Sequence, residues 1–205
     1  MREQIWLKKS QKYGELCYMT KDMLEETLAL RNYVRSQMEN RRWFAPAGRE
    51  DFEAVLKDGF GLVCFADDGK MIASLQCLLE NVEYAHDLYK NEDMVKKCAD
   101  YSDVFVHPDY RGNGLQNFME KRMEALCLKE GKTILLGTVD PENSYSYNNF
   151  IKANYHPAIR LKKYGGLDRL LMKKVLGTAE IQKTGGRGGK NIPGCCHGIS
   201  ERKRS

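Results

Sequence analysis

The stretch VFVHPDYRGNGLQNFMEK, residues 104–121, places Arg111, Gly112, Asn113 and Gly114 between a run of strand formers and a segment with helical periodicity. Glycine permits positive φ and close backbone approach. A helix that begins there points unpaired N–H groups outward, and its dipole favours phosphate oxygens. Arg111 adds a fixed charge able to grip phosphate in bidentate fashion. The loop therefore suits a diphosphate. Two known phosphate loops fit badly. A P-loop needs Lys-Ser or Lys-Thr after its last glycine, and none follows here. A dinucleotide fingerprint needs a third glycine, where Asn117 stands, and HPDY separates this loop from its strand. An ordinary strand–turn–helix corner also uses Gly-Asn-Gly, so the loop alone leaves both readings open.

The elements around the loop follow from periodicity. Met23, Thr27, Leu30, Val34 and Met38 form a helical stripe over 21–38, with Thr20 as its N-cap. A shorter helix in REDFEAVLKD ends at Gly59. GLVCFADDGKMIASLQCLLE reads as a hairpin turned at Asp-Asp-Gly, and 81–99 as a polar, irregular segment that is helical in part. YSDVFV (101–106) is a strand, and Leu115, Phe118, Met119, Arg122, Met123 and Leu126 carry a helix towards Gly131. KTILLGTV (132–139) has the continuous apolar character of a strand buried on both faces. A short helix follows Pro141, and two strands flank KKYGG. The order predicts an α/β fold with a mixed sheet.

Composition bounds the rest. The chain has 205 residues, 42% hydrophobic and 30% charged, which suits one domain with a real core. Its net charge of +5 is concentrated in residues 177–205, with six Lys/Arg against two Glu. The body, 1–176, then holds 27 basic and 26 acidic side chains and is nearly neutral. That argues against a nucleic-acid partner for the body. The Gly-rich basic tail has no apolar pattern and is expected to be disordered. Its Cys195, Cys196 and His197 lack the further ligands a zinc site needs, so no metal is expected. With no apolar run long enough to span a bilayer, no signal-like N-terminus and no C-x-x-C among seven cysteines, the expectation is a cytoplasmic protein with reduced thiols and no membrane partner.

The loop and a downstream segment together resemble the GNAT superfamily of N-acetyltransferases. In the acetyl-CoA loop pattern [RQ]-x-x-G-x-[GA], Arg111 and Gly114 match and Gln116 stands where Gly or Ala is usual. NSYSYNNFIKANY resembles the second block, N-x-x-[AS]-x-x-L-Y-x-x-x-G-F. Asn143 and Ser146 match; Phe150 takes the usual Tyr position, Asn154 replaces Gly, and Tyr155 takes the aromatic place. Asn154 is expected to close the helix in the left-handed conformation.

The resemblance implies a single GNAT-like domain, residues 1–176, whose element order fits over about residues 13–175 and whose central parallel strands splay apart. Pantetheine would lie in the gap against Val104, Phe105 and Val106. The backbone of Arg111, Gly112, Asn113, Gly114, Leu115 and Gln116 would hold the diphosphate. Asn143, Ser146 and Phe150 would line the arm, and the Phe105 N–H would polarise the thioester carbonyl. A lysine-like amine has a pKa about 3.4 units above neutrality, so its deprotonation costs roughly 4–5 kcal/mol. Asp100 stands where several members of the family carry a basic Glu, with Asp103 as second candidate; both also read as ordinary strand-end carboxylates. Phe150 cannot protonate a leaving thiolate, which leaves Tyr145 and Tyr147 as candidate acids or as packed aromatics. His107 and His156 are read as structural. The acidic stretch Glu83, Asp87, Glu92, Asp93 and Asp100 reads either as a lip that attracts a cationic amine or as a solvated loop.

The function implied is acyl-CoA-dependent N-acylation, with acetyl-CoA as co-substrate and an amine of a small molecule or protein as acceptor, by a monomer or homodimer. A CoA-binding sensor without turnover is the alternative. A nucleotide-dependent oxidoreductase is disfavoured by the missing third glycine.

Overall fold

The computed structural model describes residues 2–177. One sheet of eight strands runs through it, in the order β1-β2-β3-β4-β5-β6-β8-β7. The strands are β1 (Arg2–Leu7), β2 (Lys12–Tyr18), β3 (Gly59–Phe65), β4 (Met71–Leu78), β5 (Cys98–Val106), β6 (Ile134–Val139), β7 (His156–Lys163) and β8 (Leu167–Val175). The helices are α1 (Leu24–Ser36), α2 (Arg49–Asp58), α3 (Glu83–Leu88), α4 (Glu92–Val95), α5 (Leu115–Lys129) and α6 (Ser144–Lys152). All neighbouring strands are antiparallel except β5 and β6.

Most expected elements are present, with two differences. The chain opens with a β-hairpin, β1–β2, ahead of the first expected helix. Its strands are short and charged, and its turn achieves positive φ at Gln11 (φ 55) without a glycine to announce it. The helix expected over 21–38 is a 3-10 turn at Lys21–Met23 followed by α1. Thr20 does not cap it with its side chain; its hydroxyl donates to the Asp22 carboxylate at 2.5 Å instead. The polar segment after β4 is helical in part, as expected: it contains α3, which buries Tyr84 and Ala85, and α4. The basic tail, including Cys195, Cys196 and His197, lies outside the described residues.

The pairing that matters most is the shortest. β5 pairs with β6 only at Cys98–Ile134, Ala99–Leu135 and Asp100–Leu136. Beyond that point β5 continues to Val106 against β4 alone, and β6 continues to Val139 against β8. The two parallel strands therefore part, leaving one edge of each unpaired.

A β-bulge lies at the parting. Gln76 of β4 pairs with Asp103 and Cys77 with Tyr101, so Ser102 is the extra residue on β5. A bulge reverses the side-chain alternation beyond it. Ala99, Tyr101, Val104 and Val106 consequently pack on the α5 face, in a core with Leu115, Met119, Met123 and Cys127. Phe105 packs on the other face with Leu24, Leu30 and Val34 of α1 and Phe52 of α2. β6 is buried on both faces as expected, with Leu135 and Val139 in the first core and Ile134 and Leu136 in a third, beneath α3.

Candidate active site

β5 ends where the His107 N–H donates to Ile72 O at 2.8 Å, and a 3-10 turn at Pro108–Tyr110 leads into the loop. Gly112 (φ 81) and Gly114 (φ 76) both occupy the left-handed region, which an L side chain enters at a cost. Gly114 is the residue before α5, and no side chain caps that helix start. Its first-turn N–H groups therefore face outward for an anion. Arg111 stands exposed beside them. Asn113 is 6% exposed; its Oδ1 accepts the Lys9 N–H at 2.9 Å and its Nδ2 donates to Tyr110 O at 2.9 Å. Its side chain thus braces the loop while its backbone remains part of the cradle.

The split beside this loop is lined by aromatic side chains. An added Cβ on Gly137 of β6 would come within 3.1 Å of the Phe150 ring and 3.5 Å of Tyr101 Cβ. Phe150 meets Tyr155 edge to face at 5.0 Å, and Tyr101 lies 5.9 Å from Tyr155. Phe150 is therefore a packed wall. The Asn143 side chain accepts the Ser146 N–H at 3.0 Å and caps α6, while Asn154 (φ 65) closes it in the expected left-handed conformation. Gln116 reaches sideways: its Nε2 donates to Glu120 at 2.8 Å and its Oε1 accepts from Asn149 of α6 at 3.0 Å. The helices flanking the split are joined by that amide.

The bulge brings both candidate carboxylates to the face opposite α5. Asp103 is ion-paired with Arg31 of α1. Burial pushes its carboxyl up, against the Arg31 guanidinium that pulls it down. Asp100 is buried with Oδ1 unpartnered. Burial, aided by the Glu83 carboxylate, raises its pKa well above the usual range. A carboxyl so placed holds a proton readily and makes a stronger base once ionised. Of the tyrosines, Tyr147 is half-buried against the main core and Tyr145 is 76% exposed on the outside of α6. His107 is buried, stacked on Tyr33 at 4.9 Å and 3.0 Å from the Lys70 ammonium, which supports its structural reading. His156 is exposed at the start of β7.

Two arginines that sequence reasoning missed hold the segment between α1 and α2 over this face. Arg31 donates to Ala45 O at 2.6 Å, and its guanidinium lies 4.9 Å from the Phe44 ring centre. Arg169, 1% exposed on β8, donates to Arg42 O at 2.7 Å and to Asp140 at 2.8 Å. The segment thus bridges the β5 side to the end of β6. A cleft of about 130 Å³ opens there, lined by Asn40, Arg42, Asp140, Glu142, Arg160 and Asp168 among others. One signal for Arg31 was present: it follows Thr27 by one helical turn, on the face that carries Leu30 and Val34.

The site is thus a parallel strand pair that parts beside a glycine-bearing, uncapped helix start. The acetyltransferase (GNAT) family model matches residues 25–154, more than half of the chain, and the chain belongs to that family. No curated protein matches it significantly in sequence. Among solved structures, the GNAT domain of PAT from S. lividans aligns with a TM-score of 0.63 at 13% identity, over 85% of this chain and 97% of its own. The ribosomal-protein-S18-alanine N-acetyltransferase from Escherichia coli aligns at 0.59 and 14% identity, over 87% and 98%. An N-acetyltransferase from Staphylococcus aureus Mu50 aligns at 0.60 and 16% identity, over 80% and 99%. At these identities the likeness concerns the fold. Among the described residues no helix is long and apolar enough to cross a membrane, and no three His, Cys, Asp or Glu side chains gather as a metal site.

Proposed function

We propose that the protein is an acetyl-CoA-dependent N-acetyltransferase that acts on a primary amine. The observation that carries this reading is the parting of β5 from β6 after Asp100, next to the uncapped start of α5. The bound acetyl-CoA supplies an activated thioester. The unpaired edge of β5 offers the backbone groups of Val104 and Val106 to the amides of the pantetheine arm, with Phe105 between them bonded to β4, and with Phe150 and the α6 start, including Asn143 and Ser146, as the opposite wall. The amides from Arg111 to Gln116, with the Arg111 charge, hold the diphosphate.

The acceptor enters from the opposite face, beneath the segment held by Arg31 and Arg169. Its nitrogen bonds to the thioester carbon, the C–S bond breaks, and the sulfur leaves with the bond's electrons. The Val104 N–H stabilises charge developing on the carbonyl oxygen; Phe105, paired with Ser74 in step with His107 and Ile72, turns its own N–H to β4 instead. Asp100 takes the proton lost by the amine, because its carboxyl lies at the parting and lacks a fixed cation. Asp103 is held by Arg31 and serves the architecture. A free thiol has a pKa near 8.5, so the leaving sulfur needs little acid help. Phe150 therefore does not count against turnover. The rest of the catalysis is positioning.

Thiol release from acetyl-CoA, followed with a panel of small amines and peptide amines, tests the proposal. Turnover with at least one amine is the expected result. Tight binding of coenzyme A with no turnover on any amine would favour a sensor instead.

A further inference from the structure

The turn between β1 and β2 lies on the diphosphate loop, although Lys9 and Asn113 are 104 residues apart in sequence. The Lys9 N–H donates to the buried Asn113 side chain, which ties the turn to the loop through the backbone. The Lys9 side chain then runs across Gly112. A Cβ on Gly112 would stand 2.8 Å from Lys9 Cε and 2.9 Å from Nζ, which places the ammonium directly against the loop backbone. On the strands of the hairpin Arg2 pairs with Glu15, Glu3 with Arg122, and Lys12 with Asp67, whereas Lys8 of the turn is exposed and, like Lys9, enters no such pair among the described residues.

Charge explains why a loop of this kind would recruit a lysine from so far away. A diphosphate diester brings two negative charges. The helix start offers about half a positive charge and the loop amides are neutral. Arg111 supplies one full charge, and the geometry points to Lys9 for the second. We propose that Lys9 is a phosphate-binding residue of the cofactor site, its ammonium held over Gly112 to bind a diphosphate oxygen. The proposal rests on the reading of the loop as a coenzyme A site.

Calorimetric titration of the full chain tests it, using coenzyme A and 3′-dephospho-coenzyme A against wild type, Lys9→Met and Lys8→Met. Lys9→Met keeps the apolar stem and the docked backbone N–H, so its melting temperature should match wild type. It should bind both ligands about tenfold more weakly, the usual scale for a hydrogen bond to a charged group. Its affinity should also depend less steeply on salt. Lys8→Met, one residue away, should change affinity by less than about twofold, since exposed charges not in contact are screened. Undiminished affinity of Lys9→Met for both ligands would overturn the assignment, and an equal loss in Lys8→Met would reduce it to a general field. A loss seen with coenzyme A but not with the dephospho form would move the contact to the 3′-phosphate and overturn the diphosphate assignment. Failure of wild type to bind coenzyme A at all would overturn the underlying reading as well, which separates the two failures.

Discussion

Asp103 of β5 and Arg31 of α1 form an ion pair in which the guanidinium is 2% exposed and the carboxylate 13%. The same arginine holds Ala45 O, so one side chain ties the sheet, α1 and the segment before α2 together. Removing one member of such a pair leaves a buried charge without its counterpart. Arg31→Met should therefore lower stability by about 3–5 kcal/mol in a denaturant melt. The double change Arg31→Met with Asp103→Leu should recover most of that loss. A single change as mild as a surface substitution would mean that water enters the site.

Asp100 gives a prediction whose two halves have opposite signs. Its folded-state pKa is raised, so below the ordinary carboxylate range the group is protonated in both states and has no effect on stability. As pH rises above that range the unfolded chain ionises first, and the native state loses stability until the folded pKa is passed. Asp100→Asn should therefore melt higher than wild type, by a margin that grows as pH rises above the ordinary carboxylate range. The same variant should lose turnover far more than acetyl-CoA affinity, with the deficit opening as pH rises and the wild-type carboxyl ionises, because only the carboxylate can take the amine's proton. Full activity throughout that rise would show that water or the substrate carries the proton.

Glu120 repeats the stability argument without the catalytic half. Burial pushes its carboxyl up to about 7 from 4.5, against the pull of the Gln116 hydrogen bond. Between those two values the wild type should lose stability as pH rises, and above about 7 the loss should be complete. Glu120→Gln should match wild type in thermal melts near pH 4 and exceed it at pH 8. A margin that does not vary with pH would mean that the group titrates normally.

Gly114 separates two ways in which a loop can need glycine. No atom lies within 4 Å of an added Cβ, so bulk inside the protein is not the obstacle; the φ of 76° is. Gly114→Val should cost about 1–3 kcal/mol in backbone strain and displace the amides that hold the diphosphate. Asparagine adopts this conformation more easily than other side chains. Gly114→Asn should therefore keep measurable coenzyme A binding in a titration where Gly114→Val shows none. Equal binding by the two variants would reduce the loop to a structural corner.

These predictions mark where the sequence was legible. The turn of the loop could be read because a residue at positive φ is usually written as glycine, and Asn154 because a left-handed helix end is written as Gly or Asn. The buried β6 strand could be read from an apolar run with no polar face. The first hairpin could not, since its turn puts Gln11 where a glycine would have signalled it, and its outer faces are charged. The roles of Arg31, Arg169 and Lys9 depend on partners 72, 29 and 104 residues away, at Asp103, Asp140 and Asn113. Local periodicity has no access to such pairings. The bulge at Ser102 was invisible for the same reason, because it exists only relative to β4.

That bulge makes the site sensitive to length in a way it is not sensitive to composition. Ser102 contributes an odd count, and the count decides which residues of β5 face the acceptor. A chain with one codon removed there would present Asp103 to the apolar wall beneath α5 or Asp100 to the same wall, depending on which end of the strand kept its register. Most substitutions at this position should be absorbed, whereas any in-frame deletion or single insertion between Tyr101 and Asp103 should be lethal to the protein. Across an alignment the residue at this position would then vary freely while the spacing from Asp100 to Arg111 stays constant.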